Sequence, residues 1–232
     1  MATIITVTSR KGGVGKTSLA TSLASILAHE GFPTLLVDAD PQSCAAQVLG
    51  VDPLAAGTAE WLIGKTSHLQ EAQLHLHLLA ASPLLEQFCE EDVGVLQQRL
   101  GQVDADFVVI DTAAGSGAIG RAATSLADIV LVASEPHPLG LAAANLIIDG
   151  LPPDKLCALV LSRLDPHKAL HREIEAGAPA AFHEIKTFSV RTCSRLERAL
   201  ATGKPAAQLS NRSRGKVDVE HIADWILEKR ED

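Results

Sequence analysis

The run Arg10-Lys11-Gly12-Gly13-Val14-Gly15-Lys16-Thr17-Ser18 constrains this chain more than any other stretch. It follows a short β-branched segment, Thr3-Ile4-Ile5-Thr6-Val7-Thr8. Next comes a stretch over 18–29 whose Leu19, Leu23, Ile26 and Leu27 recur at helical spacing, stopping at Gly31. Glycines between a strand and a helix let the backbone curl so that successive N–H groups converge on one anion. The helix N-terminus adds the positive end of its dipole. Lys16 at the head of that helix is placed to reach the β- and γ-phosphates of a nucleotide, and the Thr17 hydroxyl to ligate magnesium. Gly12, Gly13, Val14, Gly15, Lys16, Thr17 and Ser18 are therefore the candidate nucleotide cradle.

Along the rest of the chain, strand and helix patterns alternate. Strands are expected over 34–37, 107–110, 129–132 and 156–161 and near 182–185, with 74–79 extended. Helices are expected over 43–49, around Trp61, and over 84–100, 119–126, 139–148, 169–176, 192–202 and 217–229. This alternation implies an α/β fold, an open and mostly parallel sheet with helices on both faces. No repeat, low-complexity tract or linker interrupts it, so one domain over 1–232 is expected. Hydrophobic residues make up 47% of the chain and aromatics 3%, with no Tyr. A core of Ala, Leu, Val and Ile suits a buried parallel sheet, and the scarcity of aromatics argues against base-stacking recognition of single-stranded nucleic acid.

Acidic residues stand at the carboxyl ends of two predicted strands. Val37-Asp38-Ala39-Asp40-Pro41-Gln42 carries two carboxylates that would repel each other without a cation, which favours a metal-linked role. Asp111 closes Phe107-Val108-Val109-Ile110 and opens Thr112-Ala113-Ala114-Gly115, a pattern that suits a hydrogen bond to a magnesium-bound water followed by a γ-phosphate-sensitive loop.

The commonest phosphate loop has a glycine five residues before Gly15, where this chain has Arg10, and a second lysine, Lys11, heads the loop. With KGGVGKT, the DxDPQ segment and the strand-end Asp111, the chain resembles the ParA/MinD family of deviant Walker A P-loop ATPases, over nearly its whole length and on the ParA-like branch. The resemblance implies ATP and Mg2+ as ligands, with Lys11 crossing a dimer interface to the partner's nucleotide. It further implies that Lys16 holds phosphates, that Asp40 orients the attacking water, and that Thr17, Asp38 and Asp111 serve the magnesium shell. Ser134-Glu135-Pro136-His137-Pro138-Leu139 resembles the family's loop near the nucleotide and interface, and Ser162-Arg163-Leu164-Asp165 stands where a base-recognition segment does in a family that varies there.

The resemblance also implies partners: an ATP-dependent homodimer, non-specific DNA, and a cargo-bound protein that stimulates hydrolysis, in a nucleoid-associated cytoplasmic protein. Charge supports the DNA expectation. The whole chain is −8, yet residues 185–216 carry +7. Arg191, Arg195 and Arg198, spaced for one face of the expected helix, with Arg212, Arg214 and Lys216 beyond, form the candidate DNA surface. The start of the chain lacks a charged region followed by a long apolar run, and no apolar run approaches a membrane span, so a soluble protein is expected. The acidic residues of the last helix oppose binding to anionic lipid, which disfavours a membrane-bound, MinD-like reading.

The four cysteines have no metal-site spacing, so a nitrogenase iron protein-like cluster is not expected, and Cys44 is expected to be buried. A dethiobiotin synthetase-like ligase on the same scaffold has no use for Lys11 or the DPQ segment. His75 and His77 are expected to share one solvent-facing side of a strand rather than to bind metal.

Overall fold

The computed structural model describes every residue except 43, 44, 66, 68, 89–92, 116, 211 and 232, with Glu231 described by its backbone alone. In the central strand Phe107–Thr112 (β5), Phe107 and Val109 face one layer of helices while Val108 and Ile110 face the other, and all four are buried. Burial on both faces is what a parallel sheet imposes, and it explains why the strands read as unbroken β-branched and aliphatic runs.

The sheet has eight strands. In chain order the elements are Thr3–Thr8 (β1), Lys16–His29 (α1), Thr34–Ala39 (β2), Ala45–Leu49 (α2), Thr58–Leu62 (α3), Gln70–Gln73 (β3), Leu76–Leu79 (β4), Val93–Leu100 (α4), β5, Ala118–Leu126 (α5), Ile129–Ser134 (β6) and Pro138–Ile148 (α6). They end with Leu156–Leu164 (β7), Ala169–Ala181 (α7), Lys186–Arg191 (β8), Ser194–Ala201 (α8) and Arg214–Glu231 (α9). The spatial order is β3-β4-β2-β5-β1-β6-β7-β8. Every neighbouring pair is parallel except β3 and β4, which form an antiparallel hairpin whose register shifts between Glu71 and Gln73. Helices α1, α2 and α9 cover one face, and α3 to α7 cover the other. The expected α/β class, mostly parallel with helices on both faces, is the fold observed.

Four expected elements differ. Residues 74–79 are not one extended segment: Leu74 and His75 form the hairpin turn, His75 at φ 66, so His75 and His77 share no strand face. The helix expected over 84–100 is divided, a 3-10 turn over Pro83–Gln87 ending where Phe88 turns extended, with α4 beginning only at Val93. The strand expected near 182–185 lies instead at β8, because Ala178, Phe182 and Ile185 pack as the end of α7 and the turn after it. The later start of α8, at Ser194, leaves Arg191 on a strand. The helix start expected at Ser43, the burial expected of Cys44, Cys89 and the terminal Asp232 lie outside the described residues. Among the described residues no helix is long and apolar enough to cross a membrane.

Candidate active site

The phosphate loop leaves β1 at Ser9 and enters α1 at Lys16. Gly13 (φ 76) and Gly15 (φ 92) take left-handed conformations that a side chain would strain, so these two glycines are required by the curl itself. Hydrogen bonds fix the loop. Ser9 Oγ donates to Lys11 O at 2.7 Å, Gly115 N to Ser9 O at 3.2 Å, and Ser162 Oγ, 4% exposed on β7, to Val14 O at 2.5 Å. The same Ser162 hydroxyl lies 3.3 Å from Ser134 O, so the ends of β6 and β7 are stitched to the loop.

A cleft of about 560 Å³ opens in front of the loop, lined by Gly12, Gly13, Gly15, Lys16, Thr17 and Ser18 together with Asp40, Gln42, Glu86 and Arg163. Val14 points the other way, into the core. Lys16 is 6% exposed; burial holds its ammonium below the ordinary lysine value, opposed by the charges of Asp111 and Asp40. A buried ammonium beside a helix N-terminus is a site that an anion completes. Lys11 is exposed and does not line the cleft.

The acids take two levels. Asp40 borders the cleft, its Oδ1 accepting from Gln42 N at 3.0 Å. Asp38 and Asp111 lie beneath, almost wholly buried and directly opposite each other in the β2–β5 register, with Asp38 Oδ1 accepting from Asp40 N at 3.2 Å. A hydroxyl and two buried carboxylates are the hard oxygen set that Mg2+ takes, and two adjacent buried negative charges at the end of a sheet gain from a divalent cation, so the residues present fit the ion. Asp38 and Asp111 lie below the cleft lining, a depth that suits holding metal-bound water rather than meeting the nucleotide. Among the described residues no cluster of three His, Cys, Asp or Glu side chains forms a metal site.

The basic candidates divide. Arg195 and Arg198 are exposed on α8, and Arg212 and Arg214 are exposed around the start of α9. Arg191, with its side chain 35% exposed, is instead held in an ion pair. Its backbone N–H donates to Asp218 Oδ2 at 2.9 Å and its guanidinium forks onto both oxygens of the same carboxylate, which is 6% exposed. That bond to Asp218 raises the arginine's pKa further. Lys216 is also withdrawn: it is 4% exposed with Nζ 3.1 Å from Glu220 Oε1. Sequence reasoning counted these two charges without the acids that hold them. Asp218 and Glu220 are visible in the sequence, but only the packing of α9 against β8 brings Asp218 to Arg191.

The AAA domain family model matches residues 2–151 of this chain. The chromosome-partitioning ATPase Soj of Thermus thermophilus is 30% identical over 96% of this chain and 94% of its own. Among solved structures, a putative plasmid partition protein of Borrelia burgdorferi bound to AMPPNP superposes with a TM-score of 0.81 at 20% identity, covering 99% of this chain and all of that one. The septum site-determining protein MinD of Pyrococcus horikoshii, complexed with Mg-ADP, gives 0.79 at 21% identity over 97% and 96%. A family match over most of the chain, a near full-length partition relative and a shared fold lead to one conclusion: this chain belongs to the ParA/MinD family of P-loop ATPases.

Proposed function

We propose that this chain binds ATP with magnesium, dimerises on binding it, and uses hydrolysis to release a DNA-associated state that positions a cargo. The observation that carries this reading is the convergence of Lys16, Thr17 and Asp40 on one cleft while Lys11, from the same loop, stays outside it and exposed. Loop amides and Lys16 hold the phosphates and offset their charge. Asp40, in the same cleft, orients a water toward the terminal phosphate. Thr17 would hold a magnesium ion, with Asp38 and Asp111 holding its bound water, and the ion would supply charge neutralisation to the phosphates. Lys11 is left to reach a nucleotide in a second copy, which makes ATP binding and pairing one event. Arg195, Arg198, Arg212 and Arg214 supply sequence-independent phosphate contacts to DNA.

Hydrolysis tests the site directly. Asp40→Ala is expected to keep ATP binding and lose turnover by about a hundredfold or more, measured as phosphate release beside calorimetric binding. Turnover at the wild-type rate removes Asp40 from the water-orienting role.

A further inference from the structure

Besides glycines, two described residues have positive φ: His75 in its hairpin turn, and Arg163 at φ 54 inside β7. A strand interior is an unusual place for a left-handed arginine, a conformation strained for any residue with a side chain. The surroundings enforce it. On one side Ser162 is tied to the phosphate loop through Val14 O; on the other, Leu164 O accepts from Thr192 N at 2.8 Å and from Thr192 Oγ1 at 3.2 Å. Between these anchors the β7–β8 register shifts, and Arg163 is the residue turned out.

It is turned toward the loop. Arg163 Nε lies 4.0 Å from where a Cβ on Gly15 would stand, against the N-cap of α1. A guanidinium beside the positive end of a helix, near Lys16, is unfavourable unless an anion joins it. One carboxylate is close: Glu135 Oε1, from the loop after β6, is 3.9 Å from Arg163 Nη1, in a loose pair half open to solvent. A pair of that kind is weak and easily exchanged.

We propose that Arg163 binds the nucleotide's inner phosphate, the one bonded to the sugar, and that Glu135 holds the guanidinium until the nucleotide displaces it. The side of the cleft decides which phosphate. Lys16, Thr17 and Asp40 line the large cleft alone, whereas Gly15, Ser18 and Arg163 also border a smaller cavity toward α8. With the reacting end of the chain of phosphates at Lys16 and Asp40, its sugar end runs past Gly15 and Ser18 under Arg163. The exchange makes nucleotide binding release Glu135, in the short turn between β6 and α6, from its contact with Arg163. This inference rests on the nucleotide reading above and adds a residue and a competition to it.

Titration calorimetry with Mg-ADP and, separately, with inorganic tripolyphosphate tests it. Arg163→Gly removes the cation and also relieves the backbone, so the melting temperature is expected to hold or rise while affinity for both ligands falls about tenfold. Glu135→Gln is expected to tighten both about twofold to fivefold, and that gain vanishes when Arg163 is also glycine. Unchanged affinity in Arg163→Gly overturns the assignment. Weaker ADP with unaltered tripolyphosphate moves the contact to the sugar or base and overturns it too, and no gain in Glu135→Gln overturns the exchange. Lys16→Ala marks complete loss of phosphate binding. A wild-type protein that binds neither ligand overturns the nucleotide reading itself, a result distinct from wild-type binding that the Arg163 and Glu135 variants leave untouched.

Discussion

Asp218 shows how one residue decides what its neighbours are free to do. Its carboxylate takes the backbone N–H and the guanidinium of Arg191, closing the end of β8 against the first turns of α9. Asp218→Ala leaves an amide and a partly covered guanidinium without their acceptor, a loss of about 2 kcal/mol after allowance for the solvent that still reaches Arg191. The urea midpoint is expected to fall accordingly with an unchanged slope; an unmoved midpoint shows the pair to be dispensable. Gly13, Gly15 and Lys16 were legible in the sequence because each meets a local demand, a left-handed turn or a charge at a helix head. The same reading found Asp38, Asp40 and Asp111 as strand-end acids. That Asp38 and Asp111 face each other was not legible, since register between β2 and β5 is set by the whole sheet. The pairing of Arg191 and Lys216 was not legible for a related reason: a charge count does not see an acid that folding brings to it.

Elements, in turn, were legible where burial was two-sided and obscure where it was not. The strands β1, β2, β5, β6 and β7 are mostly buried and rich in β-branched and aliphatic residues, but β8 is a half-buried edge strand whose Thr187, Ser189 and Arg191 dilute the signal. Apolar residues just before it belong to the end of α7, which drew the expected strand four residues early. Beside the paired Arg191, α8 and the turn into α9 carry the exposed basic residues: Arg195 and Arg198, three apart, then Arg212 and Arg214. If these make phosphate contacts, reversing Arg195 and Arg198 to Glu lowers the slope of log affinity against log salt by about 2 units at least. Fluorescence anisotropy on duplexes of unrelated sequence measures it. A slope unaltered by the reversal places the DNA surface elsewhere.

For the whole molecule, the arrangement of loops at the carboxyl ends of the parallel strands matters most. The phosphate loop, the Asp38–Gln42 segment, the Asp111–Gly115 segment, Glu135 and Arg163 all issue from that edge, because parallel strands deliver every such loop to the same side. Lys11 is exposed on this side without joining its own cleft. Under the proposed ATP-dependent pairing, Lys11→Ala is expected to retain ADP binding while showing no doubling of mass with ATP, read by light scattering. An unchanged ATP-dependent mass shift removes Lys11 from the interface.

The two rims of the sheet complete the picture. A bare rim of unpaired N–H and C=O groups invites a strand from any neighbouring chain. At one rim β3 is four residues long, breaks register after Glu71 and exposes that acid; at the other, β8 begins with an exposed lysine. Short, kinked and charged borders refuse such strands. Edges of this kind keep neighbouring chains from adding strands to the sheet, so association through sheet pairing is disfavoured at both rims.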